Sequence, residues 1–375
     1  MKTSPKLIVS SIGTSLLTQQ ASQEERSILT QYSNEKVVPD DVTAIIEKLR
    51  KTAFQQLTSK SVQHIRRASA ELNGIFGLYG NNLTQGAADV HILISTDTAQ
   101  GLATAEVVRK FLIESNLSAD IYTPKNLTTK TKAEFSEGIK DLLTWCYDTL
   151  TGYEEGGYEI IFNLTGGFKS LQGFLNTIGM FYADKIVYIF ESGEELIQIP
   201  RLPVAIDKTI LFDNLDKFVL LYEGGKEFVT AEFSNIRESL YDELDGKIYP
   251  SLWGNLIWNQ VKNKFLSERI IALPRIRYAD SFVKDFQNIL DKNEKIKLQE
   301  VLAKVSVLLD RESGSTRLLK ADGGIQYEDF NNKQHKGIPI GHFRITQSVR
   351  VSCLAENGEL TLRHYGAHDY VNNNP

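Results

Sequence analysis

The sequence predicts three parts. The first is an α/β unit on a parallel, doubly wound sheet. The second is a small helical or winged-helix middle segment. The third is an α+β unit with an antiparallel sheet. Three observations carry this reading. Over 1–203, short apolar runs alternate with helical patterns, as parallel strands joined by crossover helices do. Over 204–266 the pattern turns helical around a Gly-containing turn, 245-DGKIYP-250. Over 267–375 helical patterns precede alternating runs, two of which meet at Asn357-Gly358, a strong hairpin-turn pair.

In order, the first unit's strands are expected at 6-KLIVSSIG-13, 90-VHILIST-96, 119-ADIYT-123, 158-YEIIFNL-164, 186-IVYIF-190 and 196-LIQIP-200. Helices are expected over 40–58, 61–73, 101–115, 131–150 and 169–183. Only 191-ESGEE-195 separates the last two strands, so they should pair as an antiparallel hairpin at the sheet edge. The middle segment should carry helices over 212–222, 231–244 and 251–265. In the third part a strand in 274-PRIRYA-279 leads into helices across 280–311. Strands follow at 317–320, 325–330, 338–346, 349–355 and 359–365. The tail 371-VNNNP-375 reads as frayed.

Composition narrows the function. With 375 residues, 42% hydrophobic and 24% charged, the chain has ample core and is not disordered. Its net charge is −5, yet 267–375 holds 16 Lys+Arg against 14 Asp+Glu and four of the six histidines. Basic and imidazole groups gathered this way suit a polyanion. The middle segment, with 7 Lys+Arg against 10 Asp+Glu, is wrong for DNA. Two cysteines, Cys146 and Cys353, make neither a disulfide scaffold nor a zinc site. No signal peptide and no apolar run near 18 residues are seen, so a soluble cytoplasmic protein with no membrane contact is expected. No cofactor is expected.

In a doubly wound sheet, ligands bind beyond the carboxyl ends of the strands. Here those ends carry 10-SSIGTS-15, 95-STDTAQG-101 and 163-NLTGGFKS-170. Glycine admits close backbone approach, helix N-termini offer free N–H groups, and lysine adds charge. Together they point to an anionic nucleotide. Those turns, with 67-RASAELNGI-75 and the closing 188-YIFE and IQIPRLP-203, resemble the CRISPR-associated Rossmann-fold (CARF) sensor domains over about 1–205. The resemblance implies a Rossmann-like homodimer binding a cyclic oligoadenylate, with cyclic tetra-adenylate the ring that best suits a two-fold dimer. Ser11, Gly13, Thr14 and Ser15 would contact it from one strand end. Thr165, Gly166, Gly167 and Lys169 would do so from another, with Thr96 and Asp97 lining the site. Some members slowly cut their own ligand, and Lys169 would be the cation for that ring-nuclease step.

The second candidate site is 360-LTLRHYGAHDY-370. A two-residue turn at Asn357-Gly358 would pair Arg350 with Tyr365, Val351 with His364 and Ser352 with Arg363. Val351, Cys353, Leu360, Leu362 and His364 would then share the apolar face. Arg350, Ser352, Arg363 and Tyr365 would share a polar face without carboxylates. His364 reads as a core or edge histidine, while His368 can swing to the polar face. His342, Arg344 and 333-KQHK-336 would enter from neighbouring strands. With no close carboxylate pair, no metal-ligand spacing and no nucleophile elbow, the match is a metal-free ribonuclease. Arginines would hold the phosphate, His or Tyr would move protons, and RNA would supply its own 2′-OH.

The run 343-FRITQSVRVSCLAENGELTLRHYGAHDY-370, with two helices before it, resembles the RelE family of mRNA interferases over about 267–375. That implies cleavage of mRNA in the ribosomal A site. Arg350 would stabilise the transition state, and Arg344 and Arg363 would hold phosphates. His368 or Tyr370 would protonate the leaving oxygen. Lys320, Lys333 and Lys336 would contact RNA. Two alternatives stay open. Arg363 and His368 also fit the R-x4-H pattern of HEPN ribonucleases, which act on free RNA, although HEPN presents it on a helix. A CARF–helix-turn-helix transcription regulator would use 204–266 to bind DNA.

Overall fold

The computed structural model describes residues 4–190, 195–203 and 209–375. The chain divides into two compact units, Met1–Ala205 and Ile206–Pro375. It is a mixed α/β protein, with a mostly parallel sheet in the first unit and, in the second, a larger sheet that is antiparallel except where its edge strand pairs parallel, Ile276–Tyr278 beside Leu360–Leu362.

The first sheet is built from β1 (Lys6–Ser11), β2 (Val90–Ile94), β3 (Ser118–Tyr122), β4 (Glu159–Asn163), β5 (Lys185–Ile189) and β6 (Leu196–Pro200). Its order is β3-β2-β1-β4-β5-β6. All neighbours are parallel except β5 and β6, which pair antiparallel as expected. Most of the turn expected to join that pair, 191–194, lies outside the described residues. Consecutive Leu7, Ile8 and Val9 are all buried, so β1 reads as a continuous apolar run covered on both faces. Strand order reverses between β1 and β4, the place where doubly wound sheets bind ligands beyond the strands' carboxyl ends.

Helices Asp40–Ser59, Ala99–Glu114, Lys132–Trp145 and Lys169–Tyr182 match their expected positions. The expected single helix over 61–73 is two, Val62–Ala68 and Ala70–Leu78. Ser69 breaks it: its backbone is extended, and its hydroxyl accepts from the Leu72 N–H at 3.2 Å. A serine that caps a new helix competes with the ladder of the old one.

In the second unit, helices Leu215–Tyr222, Leu252–Glu268, Asp280–Asn288 and Lys292–Arg311 share one apolar core with the sheet. The residues expected to form separate middle and C-terminal parts therefore pack together. Position 266 lies inside helix Leu252–Glu268. The expected helix over 231–244 is absent. That stretch holds 3₁₀ turns Thr230–Phe233 and Glu238–Leu240, then β8 (Tyr241–Leu244). Strand β8 pairs with β9 (Lys247–Pro250), which also pairs with β7 (Phe228–Val229). Asp245 and Gly246 both have positive φ, the type I′ geometry that draws the chain into a hairpin.

The larger sheet comprises β10 (Ile276–Tyr278), β11 (Glu328–His335), β12 (Ile338–Arg344), β13 (Val349–Glu356) and β14 (Glu359–Ala367). Its order is β10-β14-β13-β12-β11. Residues 317–320, expected as a strand, lie in the short helix Arg317–Ala321. The run was too short for periodicity to decide. Asn357-Gly358 forms the expected turn, with both φ values positive. A second such turn sits at Lys336-Gly337. Among the described residues no helix is long and apolar enough to cross a membrane.

Candidate functional site

The first candidate site lies at the carboxyl ends of β1 and β4. A buried carboxylic acid, Glu71, ties the two turns together. Its Oε1 accepts the Gly13 N–H at 2.6 Å, and its Oε2 accepts the Ser69 hydroxyl at 2.8 Å. Burial raises its pKa above the ordinary carboxylate value, against these hydrogen bonds. The Ser11 hydroxyl donates to the Gly166 carbonyl at 2.5 Å. Asn163, also fully buried, donates to the Glu71 carbonyl and to Ser10 Oγ and accepts the Thr165 hydroxyl.

The glycines here are steric necessities. A Cβ on Gly166 would sit 2.5 Å from Glu71 Cδ. Gly167 has φ +101°, and a Cβ there would meet Ser11. The structure thus brings together Ser11, Gly13, Thr165, Gly166 and Gly167. Thr14 and Ser15 follow at the start of helix Ser15–Thr18, and Lys169 stands exposed as the first residue of helix Lys169–Tyr182. Thr96 is buried, and its hydroxyl meets that of Thr98 at 3.0 Å. Asp97 is already engaged, by Lys36 at 2.8 Å and by the Asn126 N–H at 3.1 Å. Sequence reasoning missed Glu71, Ser69 and Asn163. All three lie in the quoted runs 67-RASAELNGI-75 and 163-NLTGGFKS-170, yet nothing in either run marks them as the residues that brace the turns.

The second candidate site is the face of the larger sheet turned away from the core. Here the register corrects the expectation. From Glu356↔Glu359 to Cys353↔Leu362 the pairing runs as the turn dictates, but Ser352 then pairs with His364, Val351 with Tyr365 and Arg350 with Gly366. Arg363 is an extra residue in β14, a bulge. Beyond it the faces exchange. Tyr365 joins the core beside Val351, and His364 moves to the polar face. One cross-strand row reads His364, Ser352, His342, Glu328. The next reads Gly366, Arg350, Arg344.

The polar face is not free of carboxylates either. Asp285, from helix Asp280–Asn288, accepts the Tyr365 N–H at 3.0 Å and lies 3.2 Å from His364 Nδ1, both at Oδ2. Its Oδ1 accepts the Tyr370 hydroxyl at 3.2 Å. Burial first, then Asp285, raises the Tyr370 pKa and keeps the phenol protonated. Tyr370 and His368 belong to helix His368–Asn373, which folds back over the sheet end; a Cβ on Gly366 would meet Tyr370 Cδ1 at 2.7 Å. His368 Nδ1 faces the exposed Asp369 at 3.1 Å. His342 stacks edge-on to Phe330. Its pKa is lowered, by burial first, then by the Arg350 and His368 charges.

Buried polar atoms without partners gather on this face. They are His342 Nδ1, Arg344 Nε, Arg350 Nε, Ser352 Oγ, Arg363 Nη1 and Asn372 Oδ1. Such atoms cost about 1–3 kcal/mol each and are rare in native proteins, so a cluster calls for an explanation. Three are arginine N–H donors, the groups that recognise phosphate.

Of the lysines expected to contact RNA, Lys333 reaches this site, donating to the Asn372 carbonyl. Lys320 pairs with Asp329 at 2.9 Å. Lys336 sits in the β11–β12 turn, at the far end of β12 from Arg344, roughly 25 Å away at strand rise. Among the described residues, no group of three or more His, Cys, Asp or Glu side chains converges as a metal site.

Residues 66–202 match the model of a family described as CRISPR-associated protein (Cas_APE2256). The match lies within the first unit, covering the Glu71 helix, β2 to β6 and the 163–170 turn. Over that span the chain is similar to a CRISPR-associated family.

Proposed function

We propose that the chain is a CRISPR-linked effector in which a CARF-like, Rossmann-like unit binds a cyclic oligoadenylate and a RelE-like unit cleaves mRNA on the ribosome. The reaction is metal-independent attack of a ribose 2′-OH on its own phosphodiester, arresting translation during type III antiviral defence. One observation carries the nuclease reading. Three arginine N–H donors are held partnerless on one sheet face beside three imidazoles, as transition-state stabilisation of a phosphorane requires of preorganised groups. Arg350 would stabilise the developing charge, with Arg344 and Arg363 on neighbouring phosphates. The family match over 66–202 supports the CRISPR link. The glycine turns braced by Glu71 suit a nucleotide phosphate.

The sensor would act as a homodimer whose ligand shifts the nuclease equilibrium. The HEPN alternative is weaker, because Arg363 is a strand bulge rather than a helical residue. The test is a two-by-two assay, with free mRNA or programmed ribosomes, with and without cyclic tetra-adenylate. Cleavage only when ribosome and ligand are both present supports the reading. Ligand-dependent cleavage of free RNA would overturn the ribosome requirement. Ligand-dependent DNA binding without cleavage would favour the transcription regulator.

A further inference from the structure

We propose that Asp285 is the positioning residue that fixes His364 as the proton acceptor of the reaction; this rests on the ribonuclease reading above. Of the three histidines on the face, His364 alone has a sheltered carboxylate behind it. Asp285 is 15% exposed and His364 22%. The partner of His368, Asp369, is 95% exposed and cannot hold a ring in place. His342 sits among the charges of Arg350 and His368, with its ring against Phe330.

The Asp285 carboxylate is itself held on three sides. The Tyr365 N–H and the Tyr370 hydroxyl donate to it, and Nδ1 of His364 completes the set. A carboxylate facing Nδ1 selects the tautomer with the proton on Nδ1, which leaves Nε2 with a lone pair. Among the described residues Nε2 of His364 has no hydrogen-bond partner, and the ring stands in the row beside Arg350. The ring of Tyr370 lies edge-on to His364, with centroids 6.0 Å apart.

The bulge at Arg363 is what makes this possible. Without it His364 would point into the core and Tyr365 would take its place. In the step, Nε2 of His364 takes the 2′-OH proton as the 2′-oxygen bonds to phosphorus. The bond from phosphorus to the 5′-oxygen breaks, and that oxygen leaves with a proton from the imidazolium form of His368. The products are a 2′,3′-cyclic phosphate and a 5′-hydroxyl, and the two histidines exchange protons with water to reset.

The test uses the full chain with ¹⁵N-labelled histidine. At neutral pH the His364 resonances, identified by their loss in His364→Gln, should show Nδ1–H and an unprotonated Nε2. Asp285→Ala should scramble the tautomer and lower kcat on programmed ribosomes by 100-fold or more with KM unchanged, the range of a lost general base. Asp285→Asn keeps an oxygen facing Nδ1 but removes the charge. It should retain the tautomer and lose about tenfold in kcat. A His364 protonated at Nε2 would overturn the proposal, as would a folded Asp285→Ala chain within threefold of wild-type kcat. Protection of the β13 and β14 amides from exchange establishes that it is folded. If the wild type cleaves no RNA in any condition, the ribonuclease reading fails, while the resonances still decide the pairing.

Discussion

Replacing Gly166 by alanine adds one methyl group where the first unit has no room for it. The new Cβ would lie 2.5 Å from Glu71 Cδ and 2.7 Å from Glu71 Cγ, so one of the two must move by about an ångström to reach ordinary contact. Glu71 is fully buried and carries the Gly13 N–H. Overpacking costs about 1–3 kcal/mol. Pulling the carboxyl off the Gly13 N–H adds about 1–3 kcal/mol. The lower freedom of an unfolded alanine returns roughly 0.4–1 kcal/mol. The net is a loss of about 3 kcal/mol, or roughly a hundredfold faster amide exchange in β1 and β4. Gly173 is the control. It lies in the helix that follows, and a Cβ there meets nothing within 4 Å. Gly173→Ala should stabilise by up to about 1 kcal/mol. Hydrogen exchange on both full-length variants reads the two signs together. Calorimetry with cyclic tetra-adenylate should show weaker binding for Gly166→Ala alone. A Gly166→Ala protein that exchanges and binds like wild type would refute the claim that Glu71 braces the turns.

Arg350→Ala should lower RNA cleavage by 10²–10³-fold, in the range of a lost oxyanion donor, and leave ligand binding intact by calorimetry. Normal cleavage would mean the site is misplaced. Lys169→Ala should weaken cyclic tetra-adenylate binding by about 10–100-fold, the worth of a charge-assisted contact, with unchanged thermal unfolding; equal affinity would remove Lys169 from the site. Burial lowers the His91 pKa to about 4, against the nearby Asp89. Unfolded His91 binds its proton first, so its contribution is complete above about pH 6.5 and is lost as pH falls towards 4, about 3 kcal/mol in all. Urea titrations across that range should show the slope, and His91→Gln should flatten it.

The strands and major helices of the first unit were legible because each is a short apolar run or a long periodic one. What escaped were decisions made by single residues. Ser69 ends one helix and caps the next, which no periodicity reveals. Asp245-Gly246 draws Tyr241–Leu244 out of a helical pattern into a hairpin. The same hairpin logic worked at Asn357-Gly358, yet it fixes register only until a bulge intervenes. Nothing in 360-LTLRHYG-366 announces the extra residue at Arg363, because a bulge is chosen by what each face must bury. Tyr365 goes inside, where its hydroxyl donates to Glu294 at 2.7 Å. The arginines and histidines of the second site were legible as a cluster. The carboxylate that orients one of them was not, since Asp285 lies about eighty residues earlier and arrives only through tertiary packing. Glu71 was hidden for the same reason.

Strand β14 occupies an interior place in its sheet, between β10 and β13, although it is the last of the five to be synthesised. Until it forms, β10 has no strand beside it and β13 has an open edge. The Arg350 row lacks its third member, and Asp285 has nothing to hold. A growing chain therefore carries a complete first unit long before it carries a competent second one. On the proposed reading, the ribosome making the chain would be spared until β14 forms, and a product that stops short of β14 would be sticky but inert.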